Sequence, residues 1–167
     1  MRFRAEQHFP APVGAVESAL LDPGFLLRLA ELERLGAPEL LDTQVDGDTV
    51  RQRVRYRFAG ALAPAVTAVI DPDRLTWVED TAYDLGTHRG EHRIVPDHYG
   101  GRLSSSYTTR LEPAAGDPGA TVRTTEGEVR VRFPLVGGKV ERAIVAGIVE
   151  HAGLEAEVLA RWLAEQG

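Results

Sequence analysis

Between Thr49 and Phe58 the chain alternates with a period of two: Val50, Val54, Tyr56 and Phe58 fall on one side, and Arg51, Arg53, Arg55 and Arg57 on the other. Successive side chains of a strand point to opposite faces, so this segment predicts a strand with one apolar and one arginine-rich face. Such a strand belongs in an antiparallel sheet that is covered on one side and solvated on the other. Residues 39–45 (ELLDTQV) and Asp46-Gly47-Asp48 complete a hairpin with it, because Asp-Gly accepts the positive φ angles of a tight turn. The apolar face of this sheet needs a cover, and the rest of the sequence has to supply it.

Residues 2–9 alternate in the same way and predict an opening strand with Phe3, Ala5, Gln7 and Phe9 on one face. VGAVESALLD and PGFLLRLAEL then carry helical spacing, with Asp22-Pro23 as cap and first-turn proline of the second segment. Further strands are expected at 74–83, 87–95, 103–111 and 121–132, separated by the turn-rich stretches DPD, PDHYGG and PAAGDPG. Residues 60–70 fit neither pattern. Trp77 is assigned inward because Leu75 shares its face. In 121–132 a bulge is expected near Glu126-Gly127, which would let Val122 and Thr124 share a face with Val129 and Val131. From Gly137 to Glu165 the period becomes helical, and Val140, Ile144, Ile148, Val158, Leu159 and Trp162 gather into one stripe. The order predicts an α+β fold: one strand, two short helices, about six antiparallel strands and a long C-terminal helix that covers the sheet. No linker or repeat interrupts it, so residues 1–167 are read as a single domain.

Length and composition support a protein that makes its own core. A chain of 167 residues buries roughly 70% of its unfolded surface. The absence of cysteine excludes disulfides, thiolate metal sites and cysteine nucleophiles, and fits a reducing, cytoplasmic setting. The charged N-terminal residues and the lack of a long apolar run argue against a signal peptide and a membrane span. A net charge of -6 disfavours general nucleic-acid binding.

The strand-helix order, the Phe9-Pro10-Ala11-Pro12 turn into the first helix, and the segment Phe133-Pro134-Leu135-Val136-Gly137-Gly138-Lys139-Val140-Glu141 before the last one resemble the START-like (SRPBCC) helix-grip superfamily. Within it the chain resembles an actinobacterial family of unknown function. The resemblance covers nearly the whole chain and implies a curved sheet of six to seven strands wrapped around the C-terminal helix. It also implies a cavity between them for lipids, polyketides, isoprenoids or similar molecules, and in some branches a cyclase or dehydratase activity. It implies no particular catalytic residues here.

The residues point to three functions. The leading one is non-enzymatic binding of a small apolar ligand, with Val54, Tyr56, Phe58, Trp77, Tyr107, Ile144 and Ile148 as walls and His92, His151 and Glu155 as polar anchors. His151 and Glu155 stand one helical turn apart and could meet. The second is a cyclase- or dehydratase-like enzyme in which His151 is the acid or base, Glu155 orients it and Tyr107 donates to a developing oxyanion. The third is a protein-interaction module. The inner face of 103–111 collects Ser105, Tyr107 and Thr109, hydroxyls that suit a hydrated pocket better than a dry core. A metal site is not expected: His88 and His92 on one strand would stand about 13 Å apart, too far to share an ion. The arginines at 51–57 are expected to pair with acidic residues of neighbouring strands. Gly137-Gly138-Lys139 lacks the context of a phosphate-binding loop, and no Gly-x-Ser-x-Gly elbow is present. No cofactor is implied, and the oligomeric state is left open.

Overall fold

The computed structural model describes residues 1–32, 35–62 and 64–166. Strand β1 (Arg2–Phe9) leads into α1 (Val13–Leu21), α2 (Pro23–Arg28) and a 3-10 turn (Leu29–Glu31). The six strands β2 (Glu39–Asp46), β3 (Thr49–Arg57), β4 (Thr76–Asp84), β5 (Arg89–Pro96), β6 (Leu103–Ala114) and β7 (Asp117–Val131) follow. One helical turn, α3 (Pro64–Thr67), interrupts them within the stretch 60–70 that the sequence left unassigned; Ala63 lies outside the described residues. Helix α4 (Gly137–Gln166) completes the order. The break between α1 and α2 has the expected cause: Asp22 accepts a hydrogen bond from the Gly24 amide at 2.6 Å, with Pro23 in the first turn.

The seven strands form one antiparallel sheet in the order β1-β7-β6-β5-β4-β3-β2. Strands β2 to β7 follow one another across the sheet in chain order, and β7 then returns beside β1, so the first strand ends up at the far edge from its successor. This curved sheet and the 30-residue α4 make the helix-grip fold. Helix α4 lies along β1 and β7 and packs on α1, α2 and α3, so the cover is applied to one side of the sheet only.

One expectation fails here. β7 runs past Glu126-Gly127 without a bulge, in unbroken register with β6 from Leu103↔Val131 to Pro113↔Thr121. The phase set by Val129 and Val131 therefore continues, Val122 and Thr124 face outward, and Thr121, Arg123 and Thr125 are buried. The apolar pattern of 121–132 does not reveal this phase, because it places Arg123 inward, where it is accommodated only as a paired interior charge.

The interior holds two separate apolar clusters. One gathers Phe9, Val16, Phe25, Val50, Val54, Leu111, Val158 and Leu159, with Tyr56 and Trp162 packed against it. The other gathers Phe3, Val66, Ile70, Val129, Val131, Phe133 and Val140, with Leu103, Tyr107, Ile144 and Ile148 packed against it. Along α4 the boundary falls between Ile148 and Leu154, where His151 lies, with Glu155 directly after it. A polar band crosses the interior at that level.

Candidate functional site

Strand register decides which side chains share the inner face. One cross-strand row reads Val54, Glu79, Ile94, Ser105 and Val129 from β3 to β7, and the next reads Gln52, Thr81, His92, Tyr107, Gly127 and Phe3 from β3 to β1. Trp77 pairs with Tyr56 in the row beyond, and their rings stack at 5.9 Å. Trp77 is therefore inward, as Leu75 implied. Although α4 covers this face, Tyr56, Trp77, Glu79, Thr81, His92, Ile94, Ser105, Tyr107 and Thr109 are only half-buried, as are Ile144, Ile148, His151 and Glu155 opposite them. These half-buried side chains mark the space between the sheet and α4 as the candidate site.

The centre of the sheet side is Glu79. Its Oε1 accepts from the Tyr107 hydroxyl at 2.6 Å and lies 3.0 Å from His92 Nδ1, with the Thr81 hydroxyl at 3.5 Å. His92 Nε2 lies 2.9 Å from Thr109 Oγ1, so both ring nitrogens are engaged. A proton on Nδ1 serves Glu79, and the Thr109 hydroxyl can either donate to or accept from Nε2. The His92 and Tyr107 rings lie flat on one another, 4.2 Å apart and 5° from parallel. Burial and the Glu79 carboxylate push the Tyr107 phenol well above its ordinary range, and Tyr56 is raised by the same two causes. Both phenols therefore stay protonated and can donate.

The centre of the helix side is Glu155. Burial pushes its carboxyl up, but Arg123, His151 and His92 together outweigh that effect and hold it below the ordinary carboxylate range. Arg123 donates from Nη1 to Glu155 Oε1 and from Nε to Gln7 at 3.1 Å. His151 is close enough to feel the Glu155 charge, yet its Nδ1 is buried with no hydrogen-bond partner among the described residues. The expected meeting of His151 and Glu155 is thus electrostatic, and the carboxylate's direct bond goes to Arg123. Ser105 Oγ is a second buried polar atom of this face without a partner among the described residues.

Two glycines make room for these rings. A Cβ on Gly127 would come within 2.5 Å of Tyr107 Cβ and 2.7 Å of Phe3 Cζ; on Gly90 it would come within 2.6 Å of both His92 Nε2 and Thr109 Oγ1. Gly127 is required for clearance, not for a bulge.

Of the residues singled out from sequence, Tyr56, Trp77, His92 and Tyr107 are half-buried on the inner face of the sheet, Ile144, Ile148, His151 and Glu155 are half-buried on α4, and Val54 is buried. Phe58 continues the same strand face beyond β3 and is half-buried beside Leu35. Sequence reasoning missed Glu79, Thr81, Arg123 and Gln7. Glu79 was within reach, since it stands two residues from Trp77 on a strand. His88 does not share a strand face with His92. It occupies the β4–β5 turn at φ 55°, with Nδ1 2.8 Å from Glu17 Oε1. No group of three or more metal-ligating side chains converges among the described residues.

The outer face differs in kind. An open depression of about 820 Å³ crosses it, rimmed by Arg2, Arg4, Arg51, Asp80, Arg93 and Glu126 among others. Many charges of this face are paired: Arg53 and Arg93 both reach Asp80, Arg55 reaches Glu39 and Asp97, and Arg4 reaches Glu126. The arginine face is a laced, solvated surface. Among the described residues no helix is long and apolar enough to cross a membrane.

Comparison with known structures agrees with this architecture. The protein TTHA0849 of Thermus thermophilus superposes with a TM-score of 0.72 at 18% identity, covering 100% of this chain and 99% of that one. Norcoclaurine synthase of Thalictrum flavum gives 0.64 at 16%, covering 99% and 87%, and a START superfamily protein of Mycobacterium smegmatis gives 0.58 at 15%, covering 99% of each. At such identities the likeness establishes the START-like fold and nothing about ligands. No curated protein matches the chain. A family model matches residues 4–163, and the chain accordingly belongs to the family described as protein of unknown function, DUF2505.

Proposed function

We propose that the chain binds a small, mostly apolar molecule of the lipid, polyketide or isoprenoid class in the cleft between the sheet and α4, without a defined reaction. The supporting observation is the division of the core into two apolar clusters by a half-buried polar band. A fold that needed only stability would join the clusters, because an unpartnered buried polar atom costs about 1–3 kcal/mol. Ser105 Oγ and His151 Nδ1 are two such atoms on facing walls. A ligand with an apolar body and one or two polar groups would satisfy them while covering Ile94, Ile144 and Ile148.

Titration with the neutral apolar dye Nile red tests this. Wild-type protein is expected to enhance dye emission and to lose Trp77 fluorescence in parallel. Ile148→Trp, which fills the cleft, should weaken binding by about tenfold or more, the scale of one lost buried side-chain contact. Dye binding that ignores Ile148→Trp would reject the cleft as the site.

A second reading treats the same cleft as that of a cyclase- or dehydratase-like enzyme. What favours it is the phenol of Tyr107 held 2.6 Å from a carboxylate, an acid beside a base. His151, Glu155 and Tyr107 do not form one hydrogen-bonded set, since Glu155 is engaged by Arg123 and Tyr107 by Glu79. Conversion of a bound compound by wild type and its loss in Tyr107→Phe, with binding retained, would support the enzyme.

A further inference from the structure

Charge accounting at Glu79 narrows what the cleft accepts. Its side chain keeps 18% of its surface open and that of His92 12%. Among the described residues no lysine or arginine comes within ion-pair distance of Glu79; His92 is the one neighbour there able to carry a positive charge. Arg53 and Arg93 of the adjoining strands sit on the outer face and pair with Asp80. The donors to the carboxylate are Tyr107, His92 and Thr81, and none of them is a lysine or arginine. All three converge on Oε1. Oε2 accepts none of these bonds. A partly desolvated carboxylate whose partners include no permanent cation is stabilised when a ligand supplies one.

The surroundings specify the cation. Two stacked ring pairs flank Glu79 in the rows on either side of it, Tyr56 with Trp77 and His92 with Tyr107. Tyr56 stands near enough for the Glu79 charge to oppose its ionisation. Aromatic faces attract organic cations, most strongly at tryptophan and where water is excluded. Val54 and Ile94 beside Glu79 offer only apolar surface, which suits the carbon body attached to such a head and not a hydrated metal ion.

We infer that the ligand is an organic amine, an apolar body bearing a protonated nitrogen that donates to Glu79 Oε2 between the two ring pairs. This rests on the ligand-binding reading above and adds the charge of the head group. Glu79 is then the specificity-determining residue, and the Tyr107, His92 and Thr81 donors are positioning groups that hold its carboxylate by Oε1.

The test compares two probes of matched shape, naphthylethylamine and naphthylethanol, by calorimetry near neutral pH. Wild-type protein is expected to bind the amine about tenfold or more tightly than the alcohol, the advantage of a charge-assisted bond over a neutral one. Glu79→Gln should bring the ratio close to one. Asp80→Asn, which removes the neighbouring carboxylate on the outer face, should preserve it. Trp77→Leu, which deletes one ring, should weaken the amine more than the alcohol and provides an independent check if Glu79→Gln folds poorly. A wild-type ratio near one, or a ratio that survives Glu79→Gln, would overturn the amine inference and leave the cleft standing. Failure to bind either probe would overturn both.

Discussion

Arg123 on β7 and Glu155 on α4 form an ion pair inside the protein, with side-chain exposures of 7% and 20%. This pair ties the sheet to its covering helix at the level where the apolar core is interrupted. Removing one member strands the other in a poorly solvated site, so Glu155→Ala or Arg123→Ala is expected to cost about 3 kcal/mol, the lower end for buried pairs. The double replacement Arg123→Met with Glu155→Leu is expected to recover most of that loss. Urea unfolding of the three variants measures both effects.

The same pair makes stability pH-dependent. The folded Glu155 carboxyl is held below its ordinary value of 4.5, so the pair's stabilisation is fully present above that value and disappears as pH falls through the folded one. The melting temperature of wild type should therefore drop in acid more steeply than that of the Arg123→Met, Glu155→Leu protein. Parallel acid profiles would contradict the assignment.

Tyrosine ionisation gives the corresponding test in alkali. Tyr56, Tyr83 and Tyr107 are all raised above the ordinary value of 10.0, chiefly by burial. A raised folded value contributes stability that is complete below the unfolded value and lost as pH rises through the folded one. An absorbance titration should show these three phenols ionising only with unfolding. Tyr107→Phe should flatten the alkaline loss of stability while removing one donor from Glu79.

Gly127→Ala is expected to destabilise by about 1–3 kcal/mol, because the new methyl group meets Tyr107 Cβ at 2.5 Å and the Ser106 carbonyl at 2.7 Å. The displaced Tyr107 ring would lose its stack on His92, which near-UV circular dichroism would register. Ala at the open position Gly14 is the control.

Much of this architecture was legible in the residues. The alternation in β1 and β3, the Asp46-Gly47 hairpin, the Asp22-Pro23 break and the stripe of α4 each follow from short-range stereochemistry. So does the shared inner face of Val54, Tyr56, Trp77, His92 and Tyr107, because a strand's phase fixes which residues share a face. What escaped was decided by pairing across the fold. Arg123 faces inward only because Glu155, 32 residues later, and Gln7, near the opposite end of the chain, receive it. Glu79 gains meaning only when β5 and β6 bring His92 and Tyr107 beside it. Gly127 looked like a bulge because its real constraint, the rings of Phe3 and Tyr107, lies on two other strands.

The central claim is that this cleft holds a small molecule. Native mass spectrometry of the protein from its own cells, before and after extraction with organic solvent, tests it most directly. The account predicts an excess mass that extraction removes and that the Ile148→Trp variant fails to carry. A bare protein in both preparations, with no loss of mass on extraction, would contradict it and favour a role in protein interaction.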